Sequence, residues 1–131
     1  MKLIDAHIHL DLYEGREKDG FIGDLLEGVD GVIAVSMNRE SSIENMLLAG
    51  LYPRKIHAAV GFHPEQPAPD AAETDELFDW MEKHADGAVA IGEVGLPYYA
   101  RREAERAGER FDLEPYFALL ERFVRLAAER D

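Results

Sequence analysis

Four polar side chains stand at alternate positions in an apolar run near the start of the chain: Asp5, His7, His9 and Asp11 in LIDAHIHLD. Strand alternation puts Leu3, Asp5, His7 and His9 on one face and Lys2, Ile4, Ala6 and Ile8 on the other. Imidazoles at i and i+2 on one strand can converge on a single divalent cation, for which neutral histidine is a common ligand. A hydrogen-bonded pair of core histidines explains the same spacing equally well, so the HxH pattern alone leaves both readings open.

Two further clusters bear on the choice. In VGFHPE, residues 60–65, His63 falls at the end of an apolar run and matches His9 in depth. From there it can contact a substrate oxygen, such as that of a phosphate, or support the site from behind. In AIGEVGLPYY, residues 90–99, Glu93 closes an apolar strand between Gly92 and Gly95. A lone carboxylate there needs a partner. It can bridge two cations about 3.5–4 Å apart through its two oxygens, or pair with Arg101 or Arg102. Taken with His7 and His9 at the same depth, the metal reading is favoured. His57 lies toward the other end of its strand and reads as structural, and His84 reads as solvated or as a helix C-terminal cap.

These residues need strands that end together. Four apolar, β-rich runs are present, at residues 2–10, 31–37, 55–62 and 87–96, each hydrophobic on both faces as parallel strands covered by helices are. Helical patterns lie between and after them. Phe21, Ile22, Leu25, Leu26 and Val29 share one face, and Ser41-Ser42-Ile43-Glu44 matches a capping box. That box starts a helix presenting Ile43, Met46, Leu47 and Leu51 and stopped by Pro53. Thr74 is the expected cap of a helix over 75–85 with Leu77, Phe78, Trp80 and Met81. Asp112 is the expected cap of a last helix with Tyr116, Phe117, Leu120, Phe123, Val124 and Ala127 as its stripe. The stretches 64–73 and 101–110 read as extended βα loops. The order is βα repeated four times, which implies a parallel sheet with right-handed crossovers in one domain over residues 1–131.

Composition excludes several classes. With 47% hydrophobic and 31% charged residues the chain reads as soluble and globular. No apolar run reaches membrane-spanning length, and Met1-Lys2-Leu3-Ile4 reads as a strand start, not a signal peptide. The absence of cysteine rules out disulfides and thiolate metal sites and suits a cytoplasmic setting. A net charge of −13 argues against an extended footprint on a nucleic-acid backbone, so a phosphoester substrate requires local positive charge, which bound cations supply.

DAHIHLD, VGFHPE and GEVGLPYY, in that order on successive strands, resemble the TatD-like metal-dependent hydrolases along the whole chain. The resemblance implies a TIM-type (β/α)8 barrel of the amidohydrolase superfamily with DNase or related phosphodiesterase activity. His7 and His9 would bind one metal, Glu93 would bridge two (zinc, magnesium or manganese), and His63 would lie in the pocket, making Glu93 and His63 the catalytic candidates. The substrate implied is a DNA end or a small phosphoester. Family members commonly carry an acid where this chain has Pro97, and they draw two further histidines and an aspartate from later strands. DxHxH openings also occur in amidohydrolases and in the polymerase and histidinol phosphatase family. A barrel takes about 250 residues, and the last helix runs into Glu129-Arg130-Asp131 without a cap. The expectation is therefore four βα units, half of a barrel. Such a unit is either catalytically incomplete, completed by the missing half, or paired as a homodimer.

Overall fold

A computed structural model describes residues 3–130, leaving aside the side chains of residues 16–19. Lys2 and Asp131, which figured in the first predicted strand and the uncapped end, lie outside the described residues. Four parallel strands form one sheet in the order β1 (Ile4–Ile8), β2 (Gly31–Ala34), β3 (Ile56–Val60) and β4 (Ala90–Ile91). Between and after them run α1 (Gly15–Gly28), α2 (Arg39–Leu51), α3 (Ala71–His84), α4 (Tyr98–Ala107) and α5 (Glu114–Ala128). Among the described residues no helix is long and apolar enough to cross a membrane.

The core has two parts. Leu10, Ile22, Val32, Ala34 and Ile56 pack beneath α1 and α2, while Val60, Leu77, Phe78, Met81, Leu119, Phe123 and Leu126 fill the space between β3, α3 and α5. Burial of these side chains on parallel strands is the main force aligning the strand ends.

Several expectations are corrected. α1 begins at Gly15, earlier than its apolar pattern, because its first turns carry no apolar residue to register as periodic. The α2 capping box is formed by Asn38 and Ser41: Asn38 Oδ1 accepts from Ser41 N–H at 3.0 Å, and Ser41 Oγ accepts from Asn38 N–H at 3.1 Å. The inward face of α2 is polar, with Ser41, Ser42 and Asn45 buried, whereas Leu47 and Leu51 are exposed. Asn45 donates to Val35 O and Ser36 Oγ, so this face is held by hydrogen bonds to β2's exit. Helix α3 is capped by Asp70 with Glu73 reciprocating, and Thr74 sits inside it, donating to Asp70 O.

The predicted loop over 101–110 is mostly helix α4. Arg101 and Arg102 pair with Glu105, and Gly108, at φ 73°, adopts the left-handed cap that glycine tolerates. The cap position of α5 is Leu113, with no side-chain cap bond; Asp112, one residue before it, accepts from the Glu114 N–H instead, and the buried stripe of α5 is Tyr116, Leu119, Phe123 and Leu126. Phe117 and Val124 face outward because α5 lies on α3, with the Phe78 and Phe123 rings 4.8 Å apart. On β1, Ile4 and Ala6 are exposed instead of helix-covered, because β1 is an edge of the open sheet.

Candidate metal centre

β1 delivers two imidazoles to the carboxyl end of the sheet. Pairing to β2 is regular at Ile4 and Asp5, then shifts before Ile8, and the chain turns at Leu10–Leu12 in a short 3-10 helix whose Leu10 is fully buried. Anchored there, the strand places His7 and His9 with ring centroids 5.3 Å apart, edge to face. Asp5 Oδ1 accepts from His7 N–H at 3.0 Å and pins the backbone just before His7.

Glu93 arrives from β4 by a deflection. Gly92 N–H donates to Val60 O at 2.8 Å, the last bond to β3. The next contacts go to Ser36, whose carbonyl accepts from Glu93 N–H at 3.3 Å and whose N–H donates to Gly92 O at 3.4 Å. The chain thus leans across the top of the sheet toward β1. Gly61 permits this, since a Cβ there would lie 2.8 Å from the Glu93 carbonyl oxygen.

Three imidazole nitrogens surround one carboxylate oxygen. His7 Nε2, His9 Nε2 and His63 Nε2 lie 3.2, 3.6 and 3.7 Å from Glu93 Oε2. That oxygen is shut off from solvent and accepts no hydrogen bond. A buried carboxylate oxygen without a donor is an energetically poor arrangement unless something positive sits there. His7, His9 and Glu93 each offer one donor atom within 4.8 Å of the others, a set that fits a cation such as zinc, manganese or magnesium. Behind His9, its Nδ1 and Asp11 Oδ1 face each other at 3.9 Å, both buried and both without a hydrogen bond. At that separation the pair is a charge contact behind the ring and not a hydrogen bond.

His63 differs from the other two. Its Nδ1 accepts from the Glu65 backbone N–H at 3.2 Å, so the network assigns the proton of the neutral ring to Nε2, the nitrogen facing Glu93. It is therefore arranged as a hydrogen-bond donor into the site. The structure brings His7, His9, His63 and Glu93 together as their spacing suggested. Arg101 pairs with Glu105, and so does Arg102, which removes the ion-pair alternative for Glu93. His57 stays out of the cluster beside Gly31, and exposed His84 stacks on Trp80 and contacts its carbonyl at the end of α3.

Sequence reasoning missed Glu65 and Gly61. Glu65 accepts three backbone N–H groups, from Tyr98, Tyr99 and Ala100, at 2.7, 2.9 and 2.8 Å. Partial burial pushes this carboxyl up, but those three donors and nearby His63 outweigh it and hold the group below its ordinary 4.5. The only sequence signal for Gly61 was a glycine at a strand end, and Glu65 had none, since its partners lie on another element.

A family model for TatD-related DNase matches residues 4–131. The chain belongs to that family. Its relatives include an uncharacterized metal-dependent hydrolase of Haemophilus influenzae, 39% identical over 129 residues, which are 98% of this chain and 49% of that protein. The 3′-5′ ssDNA/RNA exonuclease TatD of Pectobacterium carotovorum is 35% identical over 74 residues, 54% of this chain and 27% of the exonuclease. The crystal structure of YjjV, a TatD homologue from Escherichia coli K12, superposes with a TM-score of 0.71 at 25% identity, over 98% of this chain and 47% of its own. That TatD neighbour is a TIM barrel, and the four βα units here correspond to half of one. The chain spans about half the length of the Haemophilus and Escherichia proteins it matches.

Proposed function

We propose that this chain carries the N-terminal half of a divalent-metal phosphodiesterase site acting on a DNA end or a small phosphoester. The observation that carries the proposal is Glu93 Oε2, buried, without a donor and faced by three imidazole nitrogens. His7 Nε2, His9 Nε2 and Glu93 would hold the cation, with two cations in a complete site. When bound, the metal supplies Lewis acidity toward a phosphoryl oxygen and lowers the pKa of water. His63 Nε2–H donates to a non-bridging phosphate oxygen, stabilising charge as it builds there. Asp11 Oδ1, 3.9 Å from His9 Nδ1, supplies negative charge behind the His9 ring. The net charge of −13 supports a substrate met at its end, since little of the surface attracts a long phosphate backbone.

The test is cleavage of end-labelled single-stranded and duplex DNA by chain supplied with manganese or zinc, beside a phosphomonoester and an amide. Metal-dependent phosphodiester cleavage that disappears in Glu93→Gln is expected. Turnover of the amide or monoester without diesterase activity overturns the assignment.

The sheet edges favour a second reading of how the site is completed. Among the described residues β1 and β4 each pair on one side only, and Leu3, Ile4 and Val89 are exposed beside them. Unpaired edges and apolar side chains invite further strands. A second copy of this chain, or another part of a longer polypeptide, would cover them and bring further ligands. Sedimentation giving a stable monomer contradicts completion by a second copy.

A further inference from the structure

Helix α4 has a feature its own sequence does not explain. Its N-cap residue is Pro97, which is fully buried and provides no side-chain hydrogen bond. A helix start leaves its first N–H groups without intrahelical partners, and a serine, threonine, aspartate or asparagine normally satisfies one. Here all three first-turn amides, of Tyr98, Tyr99 and Ala100, point at one carboxylate supplied by the loop after β3. Oε1 of Glu65 takes the first two and Oε2 takes the third. Charge-assisted bonds of this kind are stronger than neutral ones, and the helix dipole adds to them.

The same residue's backbone N–H holds His63 Nδ1. Glu65 therefore ties together two loops that carry the site: its own, which bears His63, and the segment from Glu93 to Tyr98. We infer that Glu65 is a positioning residue of the site, capping α4 from the neighbouring loop and thereby holding His63 with Nε2 turned toward Glu93. Remove the carboxylate and the loop loses its anchor on α4, leaving the 3.2 Å bond to Nδ1 supported only from the other side, where His63 N–H and Gln66 Nε2 bond Met37 O. With that side released, the bond to Nδ1 weakens and the ring samples its other tautomer. The depressed pKa of Glu65 is the thermodynamic counterpart of the clamp. The catalytic consequence rests on the role proposed above for His63, while the structural claim stands without it.

Two measurements on the whole chain test this. Nitrogen NMR of the histidine rings reads the His63 tautomer, and amide hydrogen exchange reads the first turn of α4. The wild-type chain is expected to show one neutral tautomer, protonated at Nε2, with slow exchange at Tyr98, Tyr99 and Ala100. Glu65→Ala is expected to populate both tautomers and to speed exchange at those amides by about tenfold or more, with β3 amides unchanged. Glu65→Gln keeps one acceptor oxygen and should restore protection at Tyr98 and Tyr99 but not Ala100. If Glu65→Ala also exposes the β3 amides, it has lost its fold, and Glu65→Gln decides through Ala100 alone. Wild-type protection and tautomer in Glu65→Ala, or an unaffected Ala100 in Glu65→Gln, overturns the inference. In manganese-dependent DNA cleavage, Glu65→Ala should lower kcat about 10- to 100-fold, the range for residues that orient site groups, with the manganese Kd unchanged. Equal losses in kcat and Kd would show general loosening and overturn the positioning role. If the wild-type chain cleaves nothing, the tautomer and exchange data alone decide the role of Glu65.

Discussion

Replacing Gly61 by alanine should disturb the metal centre without changing a single ligand. A methyl group at residue 61 would lie 2.8 Å from the Glu93 carbonyl oxygen, 2.9 Å from the Gly92 carbonyl carbon and 3.0 Å from Val94 Cγ1. Two of these three neighbours are backbone, so no rotamer change relieves them. Restoring ordinary contact, from 2.8 to 3.4 Å, requires the Glu93 backbone to retreat by about 0.6 Å. The φ of Gly61 is not in the left-handed region, so alanine is conformationally allowed and the effect is purely steric. Overpacking of this kind costs about 1–3 kcal/mol. A shift of that size at Glu93, which holds the centre of the site, should weaken divalent-cation binding by about tenfold or more, since site groups must be held within about 0.5 Å of their productive geometry. Gly95→Ala is the matched control. Its Cβ would meet only Pro64 Cγ, at an ordinary 3.5 Å, and it should leave both quantities near wild type. Urea unfolding gives the stability change and calorimetric titration with manganese or zinc gives the affinity. Gly61→Ala with wild-type stability and affinity would refute the claim that close approach of β3 and β4 exits sets the position of Glu93.

Other perturbations follow from the same geometry. Asn45→Ala removes the donor to Val35 O and Ser36 Oγ from a fully buried site and should destabilise the chain by about 1–3 kcal/mol, read from the urea midpoint. Asp11→Ala removes the negative charge behind the His9 ring and should weaken zinc binding by about a few-fold, the scale of a charge pair without a hydrogen bond, whereas unchanged affinity would show that Asp11 contributes nothing to the site. Because the Glu65 carboxyl is held below its ordinary 4.5 when folded, its contribution to stability is full above that value and is lost as pH falls through the lower native value. Wild type and Glu65→Gln should accordingly differ in stability at neutral pH and converge in acid. A constant difference across that range contradicts the clamp.

How much was legible in the sequence depended on what kind of signal each part left. The four strands were plain because parallel strands buried on both faces read as continuous apolar runs, and β2 and β3 lie inside the predicted ranges. The strand ends frayed: β4 keeps only Ala90 and Ile91, because the chain leaves β3 to reach Ser36. His7, His9, His63 and Glu93 were legible because their depth along each strand follows from counting residues. Helix α4 was not, since it has no buried residue and hence no apolar stripe; it is held by arginine–glutamate pairs and by a cap from elsewhere. Helix α2 inverted the usual rule, burying serines and asparagine because the β2 exit needs hydrogen-bond donors there. The caps were displaced where several eligible residues compete, as Asp70 and Thr74 do at α3. Glu65 left no trace because its partners are amides 33 to 35 residues further on.

The most direct test of the central claim is calorimetric titration of the metal-stripped chain with zinc and with manganese, wild type beside Glu93→Gln, while histidine ring signals are followed by NMR. Wild type is expected to bind saturably, with movement of the His7 and His9 signals, and the variant to bind at least about a hundredfold more weakly, with the fold of both proteins intact. Binding that is absent from the wild type, or undiminished when Glu93 is neutralised, would contradict a cation site built on His7, His9 and Glu93.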